Sequence, residues 1–367
     1  MKTLVVAGAR PNFMKVAPLL AELHKFPAEF ELLFMHTGQH FDFQMSEVFF
    51  EDLDLPEPQY YLHAGSGTPA HQTAEIIDKL DPLLEAEQPD LVVVVGDVTS
   101  TPACAVAASK RDVAVAHVEA GLHSGDRRMP EELNRLTTDA LADLLFTYSA
   151  DADDNLLAEN VPPSCIFRVG NLMIDTLVRL RPRAAASDIL ERQGVTPREY
   201  ALATLHRPSN VDDPQVLRGI LGAFDRIQER LPILFQIHPR ARKRLGEFGM
   251  EGYLEGIPNL RLLPPQGYLD FLRLQDGARM VLTDSGGLQE EATVLGVPCL
   301  TLRRNTERPI TIEQGTNRLV GQDPEQIVNA ALETLETDVT AFEVPELWDG
   351  NSAERLVAVL RRGIERR

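Results

Sequence analysis

Short apolar runs alternate with longer amphipathic stretches along most of the chain, and this alternation limits the possible folds more than any other feature. In the first half we predict strands at Thr3–Gly8, Phe30–His36, Leu91–Gly96, Val113–Val118, Leu144–Tyr148 and Ile166–Val169. The helices predicted between them are Lys15–Leu23, Ala70–Glu85, Pro102–Lys110 and Glu131–Ala142. Near-continuous runs of Val, Ile and Leu separated by helices are typical of a parallel sheet covered on both faces.

The same alternation begins again in the second half. Strands are predicted at Tyr200–Thr204, Ile233–Ile237, Leu260–Leu263, Met280–Thr283 and Pro298–Leu302, with helices at Pro214–Arg230 and Leu288–Leu295. A chain of 367 residues has room for two domains. We therefore predict two α/β domains that join near Val169–Arg183, followed by an amphipathic helix at Ser352–Glu365.

The composition excludes several classes of function. A formal net charge of −19 argues against a nucleic-acid-binding or membrane-binding surface, which is usually basic. No apolar run approaches the ~20 residues that span a bilayer. Met1 and Lys2 lead directly into the first strand, which leaves no room for a signal peptide. Three widely separated cysteines without metal-ligand spacing indicate reduced thiols and a cytoplasmic protein without a metal site.

An acidic cluster follows the predicted strand Val113–Val118. Its carboxylates are Glu119, Asp126, Glu131 and Glu132, and its cations are Arg127, Arg128 and Arg135. Carboxylates this close shift one another's pKa values unless cations or solvent intervene, and such shifts suit proton transfer. The residues alone fit a solvated loop and an acidic helix N-terminus equally well.

Charged residues also follow the first and third predicted strands. Asp97 comes directly after Leu91–Gly96, with hydroxyl groups behind it that could cap the next helix. Arg10 and Lys15 follow the first strand, where a phosphate-binding turn would lie, but the G-x-G-x-x-G spacing is missing. A dinucleotide site is therefore weakly supported, and both cations also fit an ordinary surface.

A glycine-containing turn in the second half is more specific. Ser285, Gly286 and Gly287 stand between a strand and a helix, so exposed N–H groups there favour an anion such as phosphate. Glu291 lies about one turn further on, within reach of hydroxyl groups beside that phosphate. The alternative is a tight turn in which Ser285 caps the helix.

Two histidines and a cationic segment complete the candidates. His206 and His238 each follow a predicted strand and stand close to an arginine. A lone histidine is more often structural than catalytic, and the matching positions of these two make a structural and a catalytic role about equally favoured. Arg308 lies in the basic segment after Pro298–Leu302.

Taken together, the motifs resemble the non-hydrolysing UDP-N-acetylglucosamine 2-epimerase family. The matching segments, in chain order, are GARPNFMKVAPLL (8–20), TGQH (37–40), VVGDVTST (94–101), HVEAGLHSGDRRMPEELNR (117–135), VGN (169–171), TLHRPSN (204–210), HPR (238–240), TDSGGLQEEA (283–292), TERP (306–309) and GTNRLVG (315–321). VEAGL, DSGGLQEEA and TERP in that order are highly specific.

The resemblance implies a GT-B fold, with two Rossmann-like doubly wound domains facing across a cleft. The N-terminal domain would cover residues 1–170, with a terminal helix at 352–367 packing back on it, and residues 171–351 would form the UDP-binding domain. The family interconverts UDP-GlcNAc and UDP-ManNAc for cell-surface polysaccharides, by eliminating UDP to 2-acetamidoglucal and adding it back. Its members form homodimers and use no dissociable cofactor.

The resemblance also assigns roles to residues. The catalytic positions fall on Asp97, Glu119, Glu131 and His206, although which carboxylate is the base and which the acid stays open. The UDP-contacting positions fall on Arg10, Ser285, Gly286, Gly287, Glu291 and Arg308. Lys15 and Arg135 match family motifs with less defined roles, and His238 is expected on the cleft side.

Some features leave the exact activity open. His123 stands where many members have Arg, and the segments tied to allosteric activation by UDP-GlcNAc are not clearly matched around Gly65–Thr73. The substrate could be a modified relative, such as a diacetamido uronic acid derivative. The chain could also be a GT-B glycosyltransferase that uses a UDP-sugar, a hydrolysing epimerase or a nucleotide-sugar sensor.

Overall fold

The computed structural model describes residues 1–38, 49–65, 67–337 and 342–363, apart from the side chain of Arg10. Gln39 and His40 of the TGQH motif lie outside these ranges. The chain divides into two compact units. The first comprises Met1–Arg179 and Glu346–Arg367, and the second comprises Leu180–Pro345.

The first unit contains a parallel sheet of seven strands within the described ranges, in the order β3-β2-β1-β4-β5-β6-β7. The strands are β1 (Lys2–Ala7), β2 (Glu31–His36), β3 (Tyr60–Tyr61), β4 (Leu91–Val95), β5 (Ala114–Val118), β6 (Leu144–Thr147) and β7 (Ile166–Arg168). Strands β4 and β5 are buried along their whole length, as expected for parallel strands covered on both faces.

Helices connect these strands. They are α1 (Arg10–Leu23), α2 (Pro69–Glu87), α3 (Ser100–Lys110), α4 (Pro130–Leu141), α5 (Ala150–Ala158) and α6 (Leu172–Ala185), with a 3₁₀ turn at Pro163–Cys165. The strand order reverses between β1 and β4, which pair with each other in the middle of the sheet. Ligands of open α/β sheets bind outside the carboxyl ends of the strands at such a reversal.

The second unit repeats the plan with a six-stranded parallel sheet in its described part, ordered β10-β9-β8-β11-β12-β13. The strands are β8 (Ala201–Leu205), β9 (Ile233–Ile237), β10 (Leu260–Leu263), β11 (Met280–Thr283), β12 (Cys299–Thr301) and β13 (Asn317–Leu319). Here the order reverses between β8 and β11. The ligand edge of this sheet is therefore the loops that follow these two strands.

The remaining helices lie in the second unit and the C-terminal segment. They are α7 (Ile189–Gln193), α8 (Pro208–Val211), α9 (Pro214–Ile227), α10 (Pro239–Glu247), α11 (Glu251–Glu255), α12 (Tyr268–Gly277), α13 (Gly286–Leu295), α14 (Ile310–Glu313), α15 (Pro324–Glu336) and α16 (Ser352–Leu360). Asp213 and Asp323 cap α9 and α15 by accepting backbone N–H groups of the first turn. None of the helices in the described ranges is long and apolar enough to cross a membrane.

The predicted fold class, two Rossmann-like doubly wound units of the GT-B type, is confirmed. Helix α1 begins at Arg10 rather than at Lys15, because Pro11 is tolerated in the first turn, where its missing N–H has no helical partner. The short strands β3 and β13 were missed, since two or three residues carry no readable alternation.

The division between the units lies between Arg179 and Leu180, within the predicted join Val169–Arg183 and after the boundary proposed at residue 170. The first unit continues to Arg179, because α6 begins on that unit. Thr176 Oγ1 donates to the carbonyl of Met14 at 2.5 Å, and Arg179 donates to the carbonyl of Leu53 at 2.7 Å.

The C-terminal segment from Glu346 belongs to the first unit. Asp175 of α6 accepts the N–H groups of Ser352 and Ala353, at 3.0 and 2.7 Å, so its carboxylate holds the start of α16. Helix α16 ends at Leu360, and the end of the predicted helix, Ile364 and Glu365, lies outside the described residues. Gly363, with a φ of 97°, takes the left-handed conformation that commonly stops a helix.

Candidate active site

The reversal point of the first sheet brings together the loops after β1 and β4. Asn12 Oδ1 accepts the N–H groups of Gly8 and Ala9 at 2.9 and 3.0 Å, while Asn12 Nδ2 donates to the carbonyl of Val95 at 2.9 Å. A Cβ at Gly8 would lie 1.8 Å from Ser100 Oγ, so only glycine fits there. These contacts hold the two loops in register at the ligand edge of the sheet.

Lys15 and Glu119 form a buried ion pair at this edge. Lys15 lies on α1 and Glu119 directly follows β5, so the pair joins two different loops of the sheet. A Cβ at Gly96 would lie 3.4 Å from Lys15 Nζ and 3.8 Å from Glu119 Oε2, which shows how closely the loop after β4 approaches the pair. The pair thus brings two opposite charges together at an edge that water reaches poorly.

Asp97 and Arg135 form a second ion pair at the same edge. Arg135, from α4, is almost completely buried, whereas the Asp97 side chain keeps 23% of its exposure. Asn134 Nδ2 also donates to the carbonyl of Asp97 at 2.7 Å, so two successive residues of α4 fix this position. Asp97 is thus a partly exposed carboxylate with a fixed, buried cation behind it. The expectation that hydroxyl groups after Asp97 cap α3 is wrong, since Thr99 makes no side-chain cap bond.

Glu131 and Glu132 occupy the first turn of α4, where negatively charged side chains interact favourably with the helix dipole. Glu131 is half-buried. Glu132 is buried and accepts from Ser124 N and Oγ at 2.8 and 2.9 Å, and its Oε2 lies 3.6 Å from Arg135 Nη1. Glu132 therefore stabilises the loop before α4, leaving Glu131 as the candidate for chemistry.

Arg10 stands at the first position of α1, and its side chain lies outside the described part of the structure.

At the reversal point of the second sheet, Asp284 organises the loop after β8. The Asp284 carboxylate is completely buried and accepts from the backbone N–H groups of His206 and Arg207 and from Asn210 Nδ2, at 2.9–3.1 Å. His206 Nδ1 lies 2.8 Å from Asp284 Oδ1. Although burial raises the pKa of Asp284, the charge of His206 and these hydrogen bonds outweigh it, so the pKa lies below its usual value.

This contact fixes the orientation of the His206 ring. When Nδ1–H donates to Asp284, the Nε2 atom is left at the partly exposed side of the ring. The ring of His238 lies with its centroid 5.7 Å from that of His206. His238 Nδ1 accepts the N–H of Arg240 at 3.2 Å, so this histidine also caps α10.

The Ser285–Gly287 turn begins α13 as predicted. Ser285 takes the extended N-cap conformation, but its hydroxyl makes no cap bond, and the first turn of α13 contains no acidic side chain. Ser285 N donates to Thr283 Oγ1 at 3.0 Å, which fixes the turn to the end of β11. This helix N-terminus thus has the features of an anion site.

Arg308 lies directly against that turn. A Cβ at Gly286 would lie 2.5 Å from Arg308 Nη1, so the absence of a side chain at Gly286 makes room for the guanidinium. The buried guanidinium donates to Glu290 Oε1 and Glu307 Oε1, both at 2.6 Å. Glu307 also accepts from Arg303 Nη2 at 2.7 Å. Arg308 is therefore fixed next to the first turn of α13 by two carboxylates.

Glu291 lies on the second turn of α13 and is buried. Its Oε1 accepts from the hydroxyl of Tyr268 at 2.9 Å. Burial raises the pKa of Glu291 to about 7; the Tyr268 hydrogen bond opposes the shift and the charge of Glu290 adds to it. Glu291 is the strongest candidate in this unit for a carboxyl group that changes protonation near neutral pH.

The structure groups the predicted residues into two sets, one in each unit. The first unit places Lys15, Asp97, Glu119, Glu131 and Arg135 on loops and helices at one sheet edge. The second unit places His206, His238, Ser285, Gly286, Gly287, Glu291 and Arg308 at the corresponding edge. Sequence reasoning named Glu132 in the acidic cluster but missed the other residues that hold these groups in place, namely Asn12, Tyr268, Asp284, Glu290 and Glu307. All of these except Tyr268 stand within the matching motifs, so their position close to a predicted site residue was the available signal.

Two doubly wound sheets with charged groups at both reversal points define an α/β protein of the nucleotide-binding kind. Comparison with models of known protein families identifies the family to which the chain belongs. The chain belongs to the UDP-N-acetylglucosamine 2-epimerase family, whose model matches residues 21–361. The resemblance drawn from the sequence motifs is thereby confirmed.

The chain is similar to curated proteins along almost its whole length. It is 42% identical over 368 residues to the UDP-N-acetylglucosamine 2-epimerase of Methanocaldococcus jannaschii, covering 99% of this chain and 100% of that protein. It is 38% identical over 361 residues to the UDP-2,3-diacetamido-2,3-dideoxy-D-glucuronate 2-epimerase of Pseudomonas aeruginosa, covering 98% of each.

Solved structures match over the whole fold. The structure of the Methanocaldococcus jannaschii UDP-GlcNAc 2-epimerase in complex with UDP-GlcNAc and UDP matches with a TM-score of 0.93 and 41% identity, covering 99% of this chain and 100% of that one. The Neisseria meningitidis UDP-GlcNAc 2-epimerase bound to UDP-GlcNAc matches with a TM-score of 0.89 and 29% identity, again covering 99% and 100%.

Proposed function

We propose that this chain catalyses the reversible C2 epimerisation of UDP-N-acetylglucosamine to UDP-N-acetylmannosamine. The observation that carries the proposal is the pairing of two predicted catalytic carboxylates with buried cations at one sheet edge, Glu119 with Lys15 and Asp97 with Arg135. Membership of the epimerase family and the relatives of that name support the same reaction.

The reaction needs groups that transfer a proton at a weakly acidic carbon. In the proposed route a base takes the proton from C2, a double bond forms between C1 and C2, and the C1–O bond to UDP breaks. UDP then adds back to C1 of the 2-acetamidoglucal while an acid delivers a proton to the other face of C2. Asp97, Glu119 and Glu131 supply the base, the acid and a positioning group, and the acid–base steps require carboxyl groups near both faces of the sugar.

The leaving group needs cations and N–H donors. We assign the diphosphate to the first turn of α13 at Ser285, Gly286 and Gly287, with Arg308 beside it. Arg308 is already oriented by Glu290 and Glu307, so little rearrangement is required to present its charge. Glu291 would accept a hydrogen bond from the ribose hydroxyl groups, and Arg10 would complete the UDP contacts.

His206 is proposed to act on the substrate from the second unit. Its ring is held by Asp284 through Nδ1, which directs Nε2 outward. A fixed Nε2–H would donate a hydrogen bond to the departing or returning diphosphate oxygen, and the ring of His238 lies next to that of His206.

A modified substrate is the second candidate. It is favoured by the similarity to the Pseudomonas aeruginosa enzyme named for UDP-2,3-diacetamido-2,3-dideoxy-D-glucuronate. The same C2 chemistry applies to both sugars, which differ at C3 and C6. Comparing kcat/KM for UDP-GlcNAc and for the diacetamido uronate would show which substrate this chain prefers.

We propose that the enzyme works as a homodimer in the cytoplasm and supplies cell-surface polysaccharide synthesis. Three cysteines, all free and buried, fit a reducing compartment. Light scattering coupled to size-exclusion chromatography would test the dimer, because a monomer mass would contradict it.

The experiment that tests the proposed function is incubation with UDP-GlcNAc in the absence of any acceptor, followed by proton NMR. A mixture of UDP-GlcNAc and UDP-ManNAc is expected, with UDP retained on the sugar. Steady accumulation of free sugar and UDP would indicate a hydrolysing enzyme. Unchanged UDP-GlcNAc would favour a glycosyltransferase or a binding protein.

A further inference from the structure

His117 and Asp139 form a buried pair that the proposed mechanism does not use. His117 lies on β5 and Asp139 on α4, and both side chains are fully buried. His117 Nδ1 lies 2.5 Å from Asp139 Oδ1, and His117 Nε2 lies 2.9 Å from the carbonyl oxygen of Gly96. Asp139 Oδ2 accepts the N–H of Gly121 at 3.0 Å.

The partners of His117 determine where its protons lie. A carbonyl oxygen only accepts hydrogen bonds, so the contact to Gly96 requires a proton on Nε2. The contact between Nδ1 and Asp139 needs a second proton. The pair thus holds two protons between an imidazole and a carboxylate, and its net charge is zero, which permits complete burial.

The two ends of this hydrogen-bonded chain lie beside the proposed catalytic carboxylates. Gly96 directly precedes Asp97, and Gly121 follows Glu119 by two residues. The path from the Gly96 carbonyl through His117 and Asp139 to the Gly121 N–H therefore connects the loop after β4 with the loop after β5.

The loop after β5 needs such support because its backbone is strained. Glu119 has a φ of 71°, a conformation that residues other than glycine adopt rarely. Gly121 also has a positive φ, of 77°, and a Cβ there would lie 2.4 Å from the carbonyl oxygen of Ala152. A strained residue persists when its surroundings fix it, and the Asp139–Gly121 bond is one such contact.

We propose that His117 and Asp139 are positioning residues that set the separation and orientation of Asp97 and Glu119. The proposal rests on the proposed epimerase function, because it gives those two carboxylates a role. Neither residue of the pair contacts substrate in this mechanism. They act through the backbone on either side of the β4–β5 edge, and removing them displaces the carboxylates without removing a reacting group.

The test uses the full-length His117→Gln and Asp139→Asn variants. Glutamine at position 117 keeps an N–H donor but does not bridge Asp139 and the Gly96 carbonyl. Asparagine at position 139 presents an N–H₂ group either to His117 or to the N–H of Gly121, both of which donate to Asp139. Asp175→Asn is the matched control. Asp175 is also a buried carboxylate of the first unit that accepts two backbone N–H groups, and its bonds hold α16 rather than the sheet edge.

A positioning role predicts a change in turnover without a change in nucleotide affinity. The kcat for epimerisation in both variants is expected to fall by about tenfold to a hundredfold, with the Kd for UDP changed by less than about twofold. The double variant should lose no more than the worse single variant, because the pair acts as a unit. Asp175→Asn should melt at a lower temperature and keep the wild-type kcat.

Full wild-type kcat in folded His117→Gln and Asp139→Asn would overturn the positioning role and leave the proposed function intact. Absence of epimerisation in the wild-type enzyme would overturn both. If the variants do not fold, the inference can still be tested on the wild-type enzyme. Nitrogen-15 NMR of the histidine rings should show two protonated nitrogens for His117 or a proton shared with Asp139, and an unprotonated Nε2 would contradict the inference.

Discussion

At the residue scale, each of two predicted catalytic carboxylates is found next to a buried cation. Lys15 holds Glu119, and Arg135 holds Asp97. In each pair the cation fixes the orientation of the carboxyl group at the sheet edge. Glu131, the third proposed carboxyl group, is half-buried on the first turn of α4.

Replacing the carboxyl group of Glu119 or Glu131 by an amide should strongly slow the reaction without unfolding the protein. Glu119→Gln and Glu131→Gln keep the shape of the side chain and are expected to lower kcat by about a hundredfold or more. Steady-state assays with UDP-GlcNAc, together with circular dichroism to check folding, measure the effect. Wild-type turnover in either variant would remove that residue from the mechanism.

The buried carboxyl group of Glu291 should make stability depend on pH. Burial raises its pKa from 4.5 to about 7, so the folded state holds the proton more tightly than the unfolded state does. Between these values the folded protein binds more protons, and the free energy of unfolding therefore falls as the pH rises. Above pH 7 both states are ionised, and the full cost of the buried charge remains, on the order of 3 kcal/mol.

Glu291→Gln removes this titration and provides the control. The difference in unfolding free energy between the variant and the wild type should grow in favour of the variant from about pH 5 to pH 8. Urea denaturation at a series of pH values measures it. A difference that is constant across this range would show that Glu291 does not titrate there.

At the element scale, the sites depend on where strands end and helices begin. The sequence was sufficient to locate the central strands and to place Asp97, Glu119 and Ser285 directly after three of them, since apolar runs with abrupt polar ends are readable without coordinates. The side chains that these site residues contact could not be predicted from the sequence. Arg308 contacts Gly286 and Glu290 across long stretches of sequence, and such contacts depend on the order of the strands within the sheet.

The first turn of α13 offers a direct test of the proposed diphosphate site. Gly286→Ala introduces a Cβ that would lie 2.5 Å from Arg308 Nη1, so the guanidinium must shift from its position beside the turn. We expect the Kd for UDP, measured by titration calorimetry, to rise by about tenfold or more, as for the loss of a charge-assisted contact.

Gly252→Ala is the control for this substitution. Gly252 lies in α11, and a Cβ added there would have no described atom within 4 Å apart from its chain neighbours and its own helix backbone, so the change should leave the UDP affinity unaltered. Equal affinities for the Gly286→Ala variant and the wild type would contradict the placement of the diphosphate next to Arg308.

At the scale of the whole molecule, the chain returns to its first unit after completing the second. Trp348, the single tryptophan of the sequence, is buried in the first unit. Its Nε1 donates to the carbonyl of Tyr148 at 2.9 Å, and the two rings meet edge to face with centroids 5.4 Å apart. Residues far apart in sequence thus complete one core, and this contact was not foreseen from the sequence.

Removing this side chain should destabilise the protein without touching the proposed site. Trp348→Ala is expected to lower the free energy of unfolding by about 3–5 kcal/mol, because it leaves a large cavity and a carbonyl without its donor. Urea denaturation followed by circular dichroism measures the loss. Trp348→Phe, which keeps the ring contact, should lose clearly less, and equal losses would contradict the packing argument.

The central claim of the proposed function is that Asp97, Glu119 and Glu131 remove and return the C2 proton of a nucleotide sugar. Incubation with UDP-GlcNAc in deuterium oxide, followed by NMR of the recovered sugar nucleotides, tests it most directly. We predict deuterium at C2 of UDP-ManNAc and of returned UDP-GlcNAc for the wild type, and incorporation slower by about a hundredfold or more in Asp97→Asn, Glu119→Gln and Glu131→Gln. Epimerisation that leaves the original C2 hydrogen in place would contradict the claim.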